Sequence, residues 1–191
     1  MTRRLLRRLR PERGYSLVEM LIVLSIMGVV MASLTTVFVQ ASNAELDMNN
    51  RFQAQLTARL ALDKMRREVH CGSVATPAGS ASSVTITLPS YCKSGTGSIT
   101  WCTRNLATNR YALYRIVGTT CTGGVEWADD LVPTSSAPAC SVALCVFNYT
   151  AQSTTSLAKL HVDFPVNVKP AKTTELYELQ DDIVLRNSSR S

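Results

Sequence analysis

Histidine, glycine and proline are scarce in this chain of 191 residues, which contains two, nine and seven of them respectively. So little glycine and proline excludes a collagen-like or linker-like sequence. Hydrophobic residues make up 46% of the chain and charged residues 18%, which excludes a disordered polyelectrolyte. The length predicts one folded domain with an appendage, and most of the chain is expected to fold or to lie in a membrane.

Cysteine is missing before residue 71, and the cysteines that follow contain no C-x-x-C pair. They are Cys71, Cys92, Cys102, Cys121, Cys140 and Cys145. With His70 and His161 as the two histidines, this spacing does not fit a zinc site, and we assign neither a metal nor another cofactor. An even number of cysteines in a non-cytosolic body predicts disulfides instead.

Positive charge is concentrated at the N-terminus. Residues 1–14 contribute +5 of the formal net charge of +6, through six arginines set against Glu12. The nearly neutral remainder does not indicate a nucleic-acid-binding domain, whose basic charge clusters on its folded part. Basic side chains of the body nevertheless permit nucleic acid as a partner. Those that we single out are Lys93, Arg104, Arg110 and Arg115.

The longest apolar run covers residues 20–39, in which 15 of 20 residues are apolar, and no charge occurs between Glu19 and Glu45. As a helix this run is about 30 Å long, which matches the hydrocarbon thickness of a bilayer. The positive-inside rule then places residues 1–14 in the cytoplasm and residues 45–191 on the opposite side. The cysteines therefore face the oxidising side of the membrane.

Two other targeting signals compete with a retained membrane helix. Ser42, Asn43 and Ala44 form a small-residue site for an ordinary signal peptidase, although such signals have apolar cores of only about 7–15 residues. Residues 2–7 contain paired arginines and are vaguely similar to a twin-arginine signal. An arginine-rich leader produces such pairs in any case.

Gly14, the segment Tyr15-Ser16-Leu17-Val18-Glu19 and the apolar run behind them together resemble the type IV prepilin signal. The resemblance implies that a prepilin peptidase cleaves between Gly14 and Tyr15 and methylates the new amine of Tyr15. It also implies that Glu19 pairs with the corresponding amine of a neighbouring subunit in a fibre. The implied partners are prepilin peptidase, other pilins or pseudopilins, and an assembly platform.

Downstream of the apolar run the chain remains compatible with a helix to about Val69, and Cys71-Gly72 provides a stop. One row of side chains is expected to pack on the body: Ala54, Ala58, Ala61, Leu62, Met65 and Val69. A second row faces elsewhere: Phe52, Leu56 and Leu60. Plain core packing explains both rows, but in a fibre the second row contacts other subunits.

After Gly72 the composition changes to serine, threonine, valine and glycine, which predicts β-structure. The strands expected from it are residues 84–88, 99–103, 111–117, 144–149, 157–164 and 183–186, with a loop at 131–139. The predicted fold is α+β, a long N-terminal helix packed on an antiparallel β-sheet. Pilins and pseudopilins have this architecture. Residues 65–69 and 183–187 look similar to the minor, J-type pseudopilins and their pilus counterparts.

We therefore expect four segments in the chain. They are a cleaved cytoplasmic leader (1–14), a transmembrane half-helix (15–39), an extracytoplasmic half-helix (40–71) and a disulfide-containing β-rich domain (72–191). Among the cysteines we favour the pair Cys92–Cys102, because a hairpin turning about position 97 places them opposite each other. The other four cysteines leave three pairings open.

Catalysis is not expected. His161 and Asp163 point the same way on a predicted strand, but such a coincidence carries little meaning in a serine-rich chain. Asp129-Asp130 and Asp181-Asp182 are expected to be solvated pairs near turns rather than metal ligands.

The sequence predicts a minor pilin or pseudopilin subunit in the assembly of a type IV pilus or a type II secretion-like pseudopilus. Before assembly it is a single-pass protein of the inner or cytoplasmic membrane with an extracytoplasmic C-terminal domain. Two alternatives remain. One is a pilus-tip subunit that binds DNA or a surface, and the other is a signal-anchored envelope protein outside any fibre.

Overall fold

The helix α1 spans Leu17–Cys71 and is the first element of the computed structural model, which describes residues 14–141 and 143–188. Apart from Gly14, the leader predicted at 1–14 lies outside the described residues. The chain divides into two units, one ending at Asp47 and the other beginning at Met48. The boundaries that the sequence predicts for the leader and the two half-helices stay predictions.

The helix ends where the sequence predicts. The amide of Gly72 donates to the carbonyls of Glu68 and Val69, at 2.8 and 3.2 Å, and so closes the last turn. A Cβ at residue 72 would lie 2.5 Å from Ile86 Cγ2, so a glycine is needed where the chain leaves the helix and passes a strand.

The body is built from short antiparallel strands. In chain order they are β1 (Val74–Thr76), β2 (Gly79–Ala81), β3 (Ser83–Leu88), β4 (Gly97–Ala107), β5 (Arg110–Val117), β6 (Val125–Leu131), β7 (Ala139–Cys140), β8 (Ala143–Leu144), β9 (Phe147–Thr150), β10 (Lys159–Val166) and β11 (Tyr177–Val184). The main sheet has the order β1-β3-β4-β5-β6-β10-β9-β2, and β11 pairs with β10. Strands β7 and β8 form a separate hairpin. The expected α+β fold, a long helix packed on an antiparallel sheet, is confirmed.

Several strand predictions need correction. The strand expected at 183–186 is β11, which begins six residues earlier at Tyr177 and ends at Val184, and the short strands β1, β2 and β7 were not expected. The strand expected at 144–149 is two strands, β8 and β9, because the amide of Cys145 donates to Pro138 O and turns away from the ladder. Strand β6 was not expected. Its sequence contains Asp129 and Asp130, and its pairing with β5 shifts register between Tyr111 and Leu113 and again before Tyr114.

The C-terminal part of α1 buries the row of side chains that the sequence predicted to pack on the body. Ala54, Ala58, Ala61, Leu62, Met65 and Val69 are all at most 4% exposed. Three of them are alanines, and the other three are larger apolar side chains that fill the core. The second row faces away from this core, and Phe52, Leu56 and Leu60 are 60, 38 and 52% exposed.

All six cysteines form disulfides, as expected. The pairs are Cys71–Cys92, Cys102–Cys121 and Cys140–Cys145. The favoured pair Cys92–Cys102 is wrong because the β3–β4 hairpin has a different register. Cys102 faces Ser83 and Gly97 faces Leu88, so Cys92 lies in the turn at 89–96 rather than opposite Cys102. There it reaches Cys71 at the end of α1.

A buried carboxylate also joins α1 to the sheet. Glu68 is fully buried, and Arg115 of β5 donates to its Oε1 from Nε and Nη2, both at 2.8 Å. Trp101 of β4 donates its indole N–H to Oε2 at 2.8 Å, and Lys64 Nζ lies 3.1 Å from Oε1. Both carboxylate oxygens are therefore engaged, which offsets the cost of burying the charge.

We expect Glu68→Gln to destabilise the body by on the order of 3 kcal/mol, because it leaves Arg115 largely buried without its counter-charge. The matched control is Asp63→Asn, which breaks an exposed ion pair with Arg66 and is expected to cost below about 1 kcal/mol. Thermal unfolding of both variants in the same detergent measures the difference. Equal effects would contradict the assigned role of Glu68.

Candidate processing and assembly site

The segment ahead of α1 is open. Residues 14–16 have no regular secondary structure, and a Cβ built on Gly14 would meet no heavy atom within 4 Å. The Tyr15 side chain is 78% exposed. The peptide bond between Gly14 and Tyr15 therefore lies outside regular secondary structure with open space at Gly14, which would let a peptidase approach the backbone.

Glu19 lies in the first turn of α1 and is exposed. A carboxylate at this position interacts favourably with the positive end of the helix dipole, which supports the start of the helix at Leu17. In the part of the chain that the structure describes, Glu19 forms no ion pair.

The apolar part of α1 that follows is exposed on all sides. Its large side chains between Leu17 and Val39 are 45 to 77% exposed, so none of its faces is buried by the residues that the structure describes. The segment is long and apolar enough to cross a membrane. Transfer of such an apolar surface from water to lipid, or to contact with other apolar helices, is energetically favourable.

The hydroxyl groups in this segment are satisfied within the helix itself. Ser25, Ser33, Thr35 and Thr36 each donate to a backbone carbonyl three or four residues earlier, at 2.7 to 2.8 Å. A hydroxyl with an internal partner costs little in a hydrocarbon environment. The four polar residues are therefore compatible with a membrane-spanning helix.

The acidic and histidine side chains singled out in the body are held in local contacts. Asp182 accepts a hydrogen bond from His161 Nδ1 at 2.8 Å and one from Lys159 at 3.0 Å, and these bonds lower the pKa of its carboxyl. Asp163 is buried and accepts from the Gln180 amide at 3.3 Å. His161 and Asp163 thus contact different partners.

Asp130 and Arg110 form a second charged group in the body. Burial raises the pKa of the Asp130 carboxyl and neighbouring Asp129 raises it further, while the adjacent Arg110 opposes this shift. Within residues 14–141 and 143–188, no group of three or more histidine, cysteine, aspartate or glutamate side chains is placed to hold a metal ion.

Four basic side chains of the body were considered as possible contacts to nucleic acid, and three of them bind other residues of the body instead. Arg115 binds Glu68, and Arg110 pairs with Asp129 and Asp130. The Arg104 guanidinium lies 3.4 Å from the centre of the Tyr114 ring. Lys93 is exposed on the β3–β4 turn.

The comparisons with known proteins bear on the N-terminal segment. Residues 9–35 match the family model of the prokaryotic N-terminal methylation motif. No curated protein and no solved structure matches the chain. The matched range includes Gly14, Tyr15 and Glu19 and the beginning of α1. The match supports a type IV prepilin-like protein, a precursor that prepilin peptidase processes and that assembles with other pilins.

Proposed function

We propose that this chain is a minor pilin or minor pseudopilin that takes part in assembling a type IV pilus or a type II secretion-like pseudopilus. One observation carries the proposal. A methylation motif at residues 9–35 covers the start of a helix whose first half exposes apolar side chains on every side, and whose second half buries one row in a disulfide-bonded body.

Maturation of the subunit begins at Gly14. The peptidase cleaves the open peptide bond between Gly14 and Tyr15 on the cytoplasmic face and methylates the new amine. Cleavage also removes the arginines that contribute most of the net positive charge. The mature subunit is therefore nearly neutral and is anchored by residues 15–39.

Glu19 then acts in assembly. An ionised carboxylate is costly among apolar helices unless a cation neutralises it, and the methylated amine of a neighbouring Tyr15 supplies that cation. Its place in the first helical turn, four residues after Tyr15, keeps the carboxylate near the level of such an amine. The pair fixes the axial position of one subunit against the next.

The body is proposed to lie on the extracytoplasmic side. Three disulfides require an oxidising compartment to form and to persist, and the arginine-rich leader favours the cytoplasmic side of the membrane. The row of Phe52, Leu56 and Leu60 on this half of the helix is exposed and apolar. We assign this row to contacts with other subunits.

Gly14→Leu is expected to block cleavage while leaving insertion intact, because the peptidase approaches the backbone at Gly14 and insertion depends on residues 20–39. The uncleaved precursor should accumulate in the membrane fraction, as measured by immunoblot and intact mass. Gly28→Leu is the control, since Gly28 lies within the helix and also has open space around its Cα. Normal maturation of the Gly14 variant would refute the proposed cleavage site.

Glu19→Ala is expected to be cleaved and inserted normally but to enter fibres at least about tenfold less, because a neighbour's amine loses its partner in an apolar environment. The readout is the amount of subunit in sheared fibres relative to the membrane. Glu45→Ala, which removes an exposed carboxylate beyond the apolar run, serves as the control. Wild-type amounts of the Glu19 variant in the fibres would reject the role of this carboxylate.

A further inference from the structure

The last strand, β11, pairs with β10 along its whole length, with Pro165 opposite Glu178 and Asp163 opposite Gln180. The backbone groups of Asp163 and Pro165 point away from β11. The amide of Asp163 donates to Val146 O, and Pro165 O accepts from the amide of Val132. In an antiparallel ladder, residues opposite such positions also turn their N–H and C=O groups away from the shared side.

Glu178, Gln180 and Asp182 therefore direct their backbone groups outward, and we call this row the outer edge of β11. In the described chain these groups have no hydrogen-bond partner. The next outward carbonyl, Val184 O, lies 2.9 Å from His70 Nδ1, so the end of α1 closes the row there. From residue 178 to residue 182 the open edge is about 14 Å long.

The side chains on this edge disfavour a second copy of the chain. Glu178 is exposed and unpaired in the described structure, and the Asp182 side chain is 53% exposed although it contacts Lys159 and His161. If two outer edges paired antiparallel about Gln180, each Glu178 would face an Asp182. Parallel pairing in register would place each carboxylate opposite its own copy, and like charges directly opposite each other destabilise a sheet.

The same two carboxylates favour a basic strand. Residues 178 and 182 are four apart and share one face of the sheet, so a strand with lysine or arginine at two positions four apart would face both. Its backbone would bond to the three outward residues, and its cations would pair with the two carboxylates. In this recognition mode the backbone supplies affinity and the side chains supply selectivity.

We propose that the outer edge of β11 binds an extended, basic segment of a partner protein, which adds to the sheet as a further strand. This interaction surface shares no residue with the N-terminal processing segment or with the exposed row of α1. The proposal does not depend on which fibre the chain enters.

The test uses the full chain in detergent and the peptide threonine-lysine-valine-threonine-valine-lysine-threonine, with a glutamate-for-lysine peptide for comparison. Fluorescence anisotropy should show binding of the lysine peptide that weakens with salt, and little binding of the glutamate peptide. Hydrogen exchange of the amides of residues 178, 180 and 182 should slow when the lysine peptide is bound. Equal affinity for the two peptides, or no binding of either, would overturn the proposal.

A backbone variant separates strand addition from simple charge attraction. Gln180→Pro removes the outward backbone N–H of residue 180 and leaves the hydrogen bonds between β11 and β10 intact. Gln180→Ala is the control, because it also loses the side-chain contact with Asp163 but keeps the backbone N–H. The proline variant should bind the lysine peptide about fivefold or more weakly than the alanine variant. Equal affinity would contradict strand addition.

A charge variant keeps the proposal testable if proline disrupts the fold. Glu178→Lys should abolish the preference for the lysine peptide over the glutamate peptide. Glu45→Lys makes the same charge change on α1, at a residue that is not part of the outer edge of β11, and should retain that preference. An unchanged preference in the Glu178 variant would overturn the proposal.

Discussion

The packing of α1 on the sheet depends on the neutralisation of one buried carboxylate. Glu68 is fully buried on the part of the helix that also buries Met65 and Val69, so its carboxylate is shielded from water. Such a charge is tolerated when its partners are also in place, and here Arg115 and Trp101 reach it from two neighbouring strands. The ion pair thus fixes which part of the helix lies over β4 and β5.

The same end of the helix is also fixed covalently. Cys71 is the last residue of the helix and forms a disulfide with Cys92 in the β3–β4 turn. Arg115 also donates a hydrogen bond to Ser94 O in that turn, at 3.4 Å. The disulfide limits the separation of helix and turn in the unfolded chain, while the ion pair selects the native contact. Together they fix the last turns of α1 to strands β4 and β5 and to the β3–β4 turn.

The two parts of α1 differ in which side chains they bury, and this difference indicates a different environment for each part. Around residues 54–69 one row is buried and the opposite row is exposed, as in a helix at the surface of a soluble domain. Around residues 17–39 every large apolar side chain is exposed, and the hydroxyls bond to their own backbone. The second pattern suits lipid and other helices, and the methylation motif overlaps this same segment.

The sequence predicted the features that depend on local spacing. Apolar residues at steps of three and four identified the buried row of α1, and the uncharged run beyond Glu19 identified the membrane-compatible part. It did not predict the partner of Glu68, because Arg115 is 47 residues away and only the folded sheet brings the two together. Nor did it predict the partner of Cys92, which depends on the hairpin register.

The structure also corrected expectations where local signals misled. Strand β6 contains two adjacent aspartates, a sequence typical of turns, and Asp130 has a positive φ of 58° within the strand. The extra residues of this irregular pairing turn Asp130 toward Arg110, so tertiary contacts override the local preference. The outer edge of β11 is likewise a property of strand order, which no short pattern in the sequence encodes.

The intact mass of the protein extracted from membranes without reduction tests the central claim most directly. The account predicts the mass of residues 15–191 with one N-methyl group, and without the six hydrogens lost in forming three disulfides. A chain that begins near Glu45, or one that retains residues 1–14 in cells with active prepilin peptidase, would contradict it.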